Sequence, residues 1–227
     1  KDLSRADLDA KDIDLVINCS VSQMDGKLRQ HLSPSFATLI ANELQISGAQ
    51  TFDVSNACAG MLTGLMIAES RIKSGQSKYA LVVSGEYVTP IIDEAKRRNL
   101  YLHPRAMASL TVGDGAAAYI LGQSEEAGRI IFSEPITMAQ YNRYCIGQAC
   151  KSHLGPQMRT RAKDMQTAVF DNLGNFLKRS IDYMAVKWDE IDHTFSHLFS
   201  IFQVFSAFPL LYSSFSGLVS QSVQVAE

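Results

Sequence analysis

The sequence predicts an α/β protein built on a mainly parallel sheet. Three observations carry that prediction. Runs such as Ile13-Asp14-Leu15-Val16-Ile17 and Tyr79-Ala80-Leu81-Val82-Val83-Ser84 are almost continuously apolar, as strands covered on both faces are. They alternate with segments of helical periodicity, the pattern that puts helices on the faces of a parallel sheet. Glycine or proline punctuates the junctions, at Pro34, Gly48, Gly75 and Gly113.

Composition narrows the function classes. The 227 residues suffice for one large domain or two small ones, and 46% hydrophobic with 19% charged residues is ordinary for a soluble globular chain. A net charge of -2 gives no electrostatic ground for nucleic acid or an anionic membrane as partner. Cys19, Cys58, Cys145 and Cys150 are irregularly spaced. They form neither a disulfide framework nor a zinc CxxC pair, so no metal and a reducing, cytoplasmic setting are expected. The opening Lys-Asp-Leu-Ser-Arg is no signal peptide, and without a Met it reads as a start inside a longer chain.

Taken in order, residues 1–12 read as a helix end or lead-in and residues 13–17 as the first strand. Ser33 is the expected N-cap and Pro34 the first residue of a helix carrying Phe36, Leu39, Ile40 and Leu44. A strand over 49–55 leads into Asn56-Ala57-Cys58-Ala59-Gly60 and a helix over 61–73. That helix is apolar on most sides for three turns, which predicts burial all round. Gly60 and Gly64 are costly in a helix unless a strand or a substrate passes closely.

Residues 79–84 form the next strand, and 87–110 read as a long connection in which Lys96-Arg97-Arg98 is a solvated face rather than a phosphate site. Gly113-Asp114-Gly115 is a tight turn before a strand over 116–121, with no phosphate-loop or dinucleotide fingerprint. Residues 122–128 are the candidate seam, followed by a strand at 129–133 and an irregular polar stretch over 134–163. Asp164–Met184 fits an amphipathic helix with Met165, Val169, Leu173, Phe176, Leu177 and Ile181 on its stripe, and His193–His197 a short strand.

The chemistry concentrates at Cys58. A cysteine between a strand and a helix lies near the unpaired N–H groups that open the helix, which favours the nucleophilic thiolate. The plain alternative is a small buried hydrophobe, as many cysteines are.

The segment Phe52–Gly60 resembles the nucleophile strand and elbow of the thiolase superfamily, most closely the β-ketoacyl-acyl carrier protein synthase III-like condensing enzymes. Three stretches agree in order: the strand at 13–17, Ser33-Pro34-Ser35-Phe36-Ala37, and Gly113-Asp114-Gly115-Ala116-Ala117-Ala118. The resemblance covers roughly residues 10 to 197. It implies a layered α/β/α/β/α fold with two pseudo-equivalent halves. The N-terminal half would occupy residues 1–122, lacking its first strand and helix, and a partial second half residues 123–197.

It further implies a homodimer, with the strand before Cys58 near its axis. The implied activity is acyl transfer from acyl-CoA, a substrate and not a resident cofactor, to Cys58. Condensation with a malonyl thioester, carried by acyl carrier protein, or passage to another acceptor would follow. His197 matches the family's strand histidine, with His193 its competitor on the same strand face.

After His197 the pattern breaks. Leu198 stands where the family has Gln, no Gly-Asn stretch follows, and 198–226 hold no charged residue. Asn172 and Asn175 precede the histidine and do not replace the family's asparagine. The tail over 198–227 reads as a sequence foreign to the family, with a buried segment or a bilayer span as alternatives; Gln203, Pro209 and the serines weaken the span. A catalytically defective acyl-CoA-binding relative, or a partner subunit of a complete synthase, is the alternative function.

Overall fold

The computed structural model describes residues 8–24, 31, 33–123, 133, 135–151 and 155–184. Its elements are β1 (Leu15–Asn18), α1 (Phe36–Glu43), β2 (Gln50–Asp53), α2 (Gly60–Lys73), β3 (Tyr79–Glu86), α3 (Thr89–Lys96), β4 (Gly115–Gly122), β5 (Cys145–Ala149), β6 (Pro156–Thr160) and α4 (Ala162–Met184). They divide into two compact units. The first comprises the described residues of Lys1–Asn99, Val112–Pro135 and Gln148–Gln157, and the second those of Leu100–Thr111, Ile136–Gly147 and Met158–Glu227.

The first unit is the expected α/β layer. Its sheet runs β2-β1-β3-β4, with β1 parallel to both β2 and β3 and β4 antiparallel to β3. Every residue of β1 is buried, because alternate side chains serve two cores. Val16 joins Ile13, Ala37, Ala41, Ile46 and Leu81 beneath α1, whereas Leu15 and Ile17 join Cys19, Ala68, Ala80 and Val82 beneath α2. The uninterrupted apolar run is thus the trace of a strand with a helix on each side.

Helix α1 starts two residues later than the sequence predicts. Ser35, not Ser33, is its N-cap, with the Ser35 hydroxyl accepting from the Thr38 N–H at 3.1 Å. Asp53, at the end of β2, accepts from the Phe36 and Ala37 N–H groups, both at 2.9 Å. A carboxylate there satisfies two donors that have no partner inside the helix.

Helix α2 corrects a second expectation. Only Gly60, Gly64 and Ala68 are buried, and Leu62 is 63% exposed. The face on the sheet is the stripe of small residues at i, i+4 and i+8, so the helix lies close and its larger side chains flank the contact. A Cβ on Gly64 would stand 2.5 Å from Cys19 Sγ and 2.8 Å from Val82 Cγ1. The close neighbour inferred for these glycines is therefore the strand layer.

The stretch after β3 is not the long connection that the sequence predicts. Its polar composition hides α3 and a 3-10 segment, Pro104–Thr111. Asp114, immediately before β4, accepts from the Val88 and Thr89 N–H groups at 2.7 and 2.8 Å and from the Thr89 hydroxyl at 2.8 Å. The Gly-Asp-Gly turn is thus also a helix cap.

Of the basic triplet, Lys96 and Arg97 are exposed as expected. Arg98 instead pairs with Glu94, which is only 2% exposed, and donates to Gln157 Oε1 at 3.0 Å.

Strands β5 and β6 form a two-stranded sheet within the stretch expected to be irregular. Short, polar strands lack the apolar alternation that marks a strand in sequence. In the second unit, α4 matches the predicted helix, with Ala168, Ser180 and Ile181 buried while Val169 is 38% exposed. The Arg161 guanidinium lies 4.8 Å from the Tyr144 ring centroid. His193, His197 and the tail lie outside the described residues, as do residues 129–132 of the expected strand at 129–133.

Candidate active site at the Cys58 turn

Parallel strands β1, β2 and β3 all present their carboxyl ends to one side, where open α/β sheets place their ligands. Cys58 emerges there. After Asp53 the backbone continues through Val54, whose N–H donates to the Asn18 carbonyl at 2.8 Å. It then tightens into a 3-10 turn over Ala57–Ala59, directly before α2. Ala57 adopts a left-handed conformation with φ 43°, a region that costs a residue bearing a Cβ of the order of 1–2 kcal/mol. That reversal carries the chain sharply from strand to helix, and Cys58 is left exposed. The thiol is therefore not the buried hydrophobe of the plain reading.

The turn is tied on its helix side. Asn56 Nδ2 donates to Thr63 Oγ1 at 2.8 Å, and that hydroxyl donates to the Ala59 carbonyl at 3.0 Å. The 14-residue α2 begins at Gly60, two residues after Cys58, and the partial positive charge of a helix N-terminus favours an anion nearby.

Beneath the turn lies polar machinery that the sequence reading missed. Asn18 Nδ2 donates to Asp53 Oδ1 at 3.1 Å. Asn18 Oδ1 accepts from the Ser20 N–H at 3.2 Å and the Ser20 hydroxyl at 2.5 Å. Ser20 Oγ in turn accepts from the Gly85 N–H at 3.0 Å. Glu86 accepts from the Val21 and Ser22 N–H groups at 2.6 and 3.2 Å and from the Ser84 hydroxyl at 3.1 Å. The available signal was two polar residues, Asn18 and Ser20, ending an otherwise apolar strand.

Cys19 lies in the core below, and burial pushes its thiol up from 9.0 to about 11, against a backbone hydrogen bond at Gly64 that acts the other way. Two cysteines near one turn are therefore divided by environment. Cys19 is held as a thiol and Cys58 is open to reagents. Among the described residues no group of three or more His, Cys, Asp or Glu side chains could hold a metal ion, and no helix is long and apolar enough to cross a membrane.

Comparison with known proteins finds similarity over the region that holds this turn. A family profile for 3-oxoacyl-[acyl-carrier-protein] synthase III matches residues 52–138, a span that starts inside β2 and includes the Cys58 turn. Over this span the chain is similar to the synthase III-like proteins of the thiolase superfamily.

An acyl-CoA:acyl-CoA alkyltransferase from Xanthomonas campestris pv. campestris is 33% identical over 163 residues, 65% of this chain and 45% of the relative. A β-ketoacyl-[acyl-carrier-protein] synthase III from Enterobacter sp. is 35% identical over 128 residues, 56% of this chain and 36% of its own length. The chain thus spans less than half of these relatives. Among solved structures, a Xanthomonas campestris OleA variant superposes with a TM-score of 0.77 at 25% identity, covering 92% of this chain and 60% of that one. A cysteine-to-serine OleA variant with bound lauric acid and lauroyl-CoA gives a TM-score of 0.73 at 25% identity, covering 90% and 61%. The thiolase-like fold is established by these neighbours.

Proposed function

We propose that Cys58 accepts an acyl group from acyl-CoA and passes it to a second substrate, as the resemblance to synthase III-like proteins implies. The observation that carries the reading is an exposed cysteine on a left-handed turn between a parallel strand and a helix N-terminus. A thiolate there attacks the thioester carbonyl carbon. The new C–S bond forms as the bond to coenzyme A breaks, and coenzyme A leaves as a thiolate that takes up a proton. The Cys58 N–H is assigned to the developing oxyanion. The names of the relatives, an acyl-CoA:acyl-CoA alkyltransferase and synthases III, support acyl thioesters as the substrate class.

In the proposed second step a malonyl thioester, delivered by acyl carrier protein, loses carbon dioxide. Its carbanion attacks the acyl carbonyl and Cys58 departs as thiolate. His197 is assigned to donate to the thioester oxygen of the enolate. Coenzyme A enters and leaves as substrate, and the working form is a cytoplasmic homodimer.

Intact-mass measurement after incubation with acetyl-CoA or lauroyl-CoA tests the first step. One acyl adduct is expected on the wild type and none on Cys58→Ala; no adduct, or one that survives the substitution, refutes the assignment. His197→Ala is expected to acylate normally but to lose condensation with a malonyl thioester. Loss of acylation in that variant contradicts the division of roles.

A further inference from the structure

Asn18 ends β1 fully buried, with Ser20 1% exposed. A side-chain amide presents a donor and an acceptor on one rigid plane, and Asn18 uses both. Its oxygen takes two donors from Ser20, and its nitrogen donates to Asp53. Asp53 Oδ1 and Oδ2 are otherwise engaged by the Ala37 and Phe36 N–H groups, so without the Asn18 donor its carboxylate is held from the α1 side alone. The Asn18 carbonyl also binds the Val54 N–H.

One buried residue therefore grips Asp53 through its side chain and Val54 through its main chain, just before the turn. On the far side of Cys58, the Cys19 carbonyl oxygen stands 2.9 Å from where a Cβ on Gly60 would be. Asn18 and Cys19 touch the chain before and after the nucleophile turn.

We infer that Asn18 is a positioning residue for Cys58: its amide, locked between Ser20 and Asp53, sets the angle at which β2 delivers the thiol to a thioester. The inference rests on the reading of Cys58 as acyl acceptor and adds to it the device that aims the sulfur. Attack on a carbonyl tolerates little misalignment, whereas alkylation by a small reagent tolerates much more. The two reactions therefore separate aim from exposure.

Asn18→Asp keeps the shape but sets a carboxylate against Asp53, where like charges repel. The reciprocal exchange, Asn18→Asp with Asp53→Asn, restores the donor–acceptor pair between the two positions with reversed polarity, while giving up the acceptor that Asp53 Oδ1 offers the Ala37 N–H. Acylation by lauroyl-CoA is followed by intact mass, Cys58 alkylation by iodoacetamide through peptide mapping, and folding by melting temperature. Asn18→Asp is expected to slow limiting acylation about ten- to a hundredfold. Half-saturation by lauroyl-CoA and the alkylation rate stay within about threefold of wild type, and the exchange recovers most of the loss.

A folded Asn18→Asp that acylates at the wild-type rate overturns the inference, as does an exchange that folds without recovery. If Asn18→Asp does not fold, Asp53→Asn carries the test, with a several-fold loss expected and a wild-type rate overturning it. If the wild type itself takes no acyl group, the acyl-acceptor reading has failed separately. Positioning is then decided by a bulky thiol reagent, whose rate with Cys58 must drop in Asn18→Asp while the iodoacetamide rate holds; equal ratios overturn it.

Discussion

Replacing Gly64 by alanine sets two effects of known sign against each other. In a helix interior the exchange is worth about 1 kcal/mol in favour of alanine. Against it, the new methyl carbon would sit 2.5 Å from Cys19 Sγ and 2.8 Å from Val82 Cγ1, both on buried residues. Overpacking of this kind costs about 1–3 kcal/mol. With two contacts inside van der Waals distance the upper part of that range applies, so Gly64→Ala should lose about 1–2 kcal/mol net.

Gly174, inside α4 with nothing within 4 Å of its would-be Cβ, is the matched control; Gly174→Ala should gain about 1 kcal/mol. Urea unfolding at constant m-value reads both as shifts of midpoint in opposite directions. Adding Cys19→Ala to Gly64→Ala should return part of the loss, a coupling of about 1 kcal/mol between touching groups. A Gly64→Ala midpoint at or above wild type refutes the close-packed seam.

Three further outcomes follow from the same geometry. Cys19, raised to about 11 in the fold, contributes stability in full below its unfolded value and loses it as pH rises through about 9 to 11. The wild type should therefore lose about 2 kcal/mol more than Cys19→Ala over that window, measured by urea midpoints. At Ala57, φ 43° suits glycine and punishes a β-branched side chain, so Ala57→Val should lose at least about 1 kcal/mol while Ala57→Gly stays near wild type. Arg98→Ala leaves the Glu94 carboxylate, 2% exposed, without its cation; a melting shift corresponding to about 3 kcal/mol is expected, and an unchanged melting temperature contradicts the burial of that pair.

The parts of the fold that were legible in the sequence are those made by apolar periodicity. β1 and β3 announce themselves because both faces are covered, and α4 because one face is. The Cys58 corner was legible because a strand, a cysteine and a paired glycine motif fall in a fixed order. Polar contacts left a weaker trace. Asp114 reads as a turn residue, and nothing local shows that it caps α3 at Thr89, 25 residues earlier in sequence. Asn18 looks like the end of a strand because its partner, Asp53, is set by the parallel register that aligns the two. Helix α2 was read as buried all round because composition counts apolar residues without saying which stripe meets the sheet. Strands β5 and β6 carry too few apolar residues to be told from loop.

The seam of Gly60, Gly64 and Ala68 fixes more than a distance. A helix held by bulky interdigitated side chains can slide as rotamers change, but one resting on hydrogen atoms has no such slack. Axial travel or rotation would drive a neighbouring methylene into Cys19 or Val82. The sulfur at the head of α2 is thereby tied to the sheet as to a fixed datum. Under the proposed acyl transfer to Cys58, accommodation of longer or shorter acyl groups falls to the segments around the thiol rather than to the position of the sulfur.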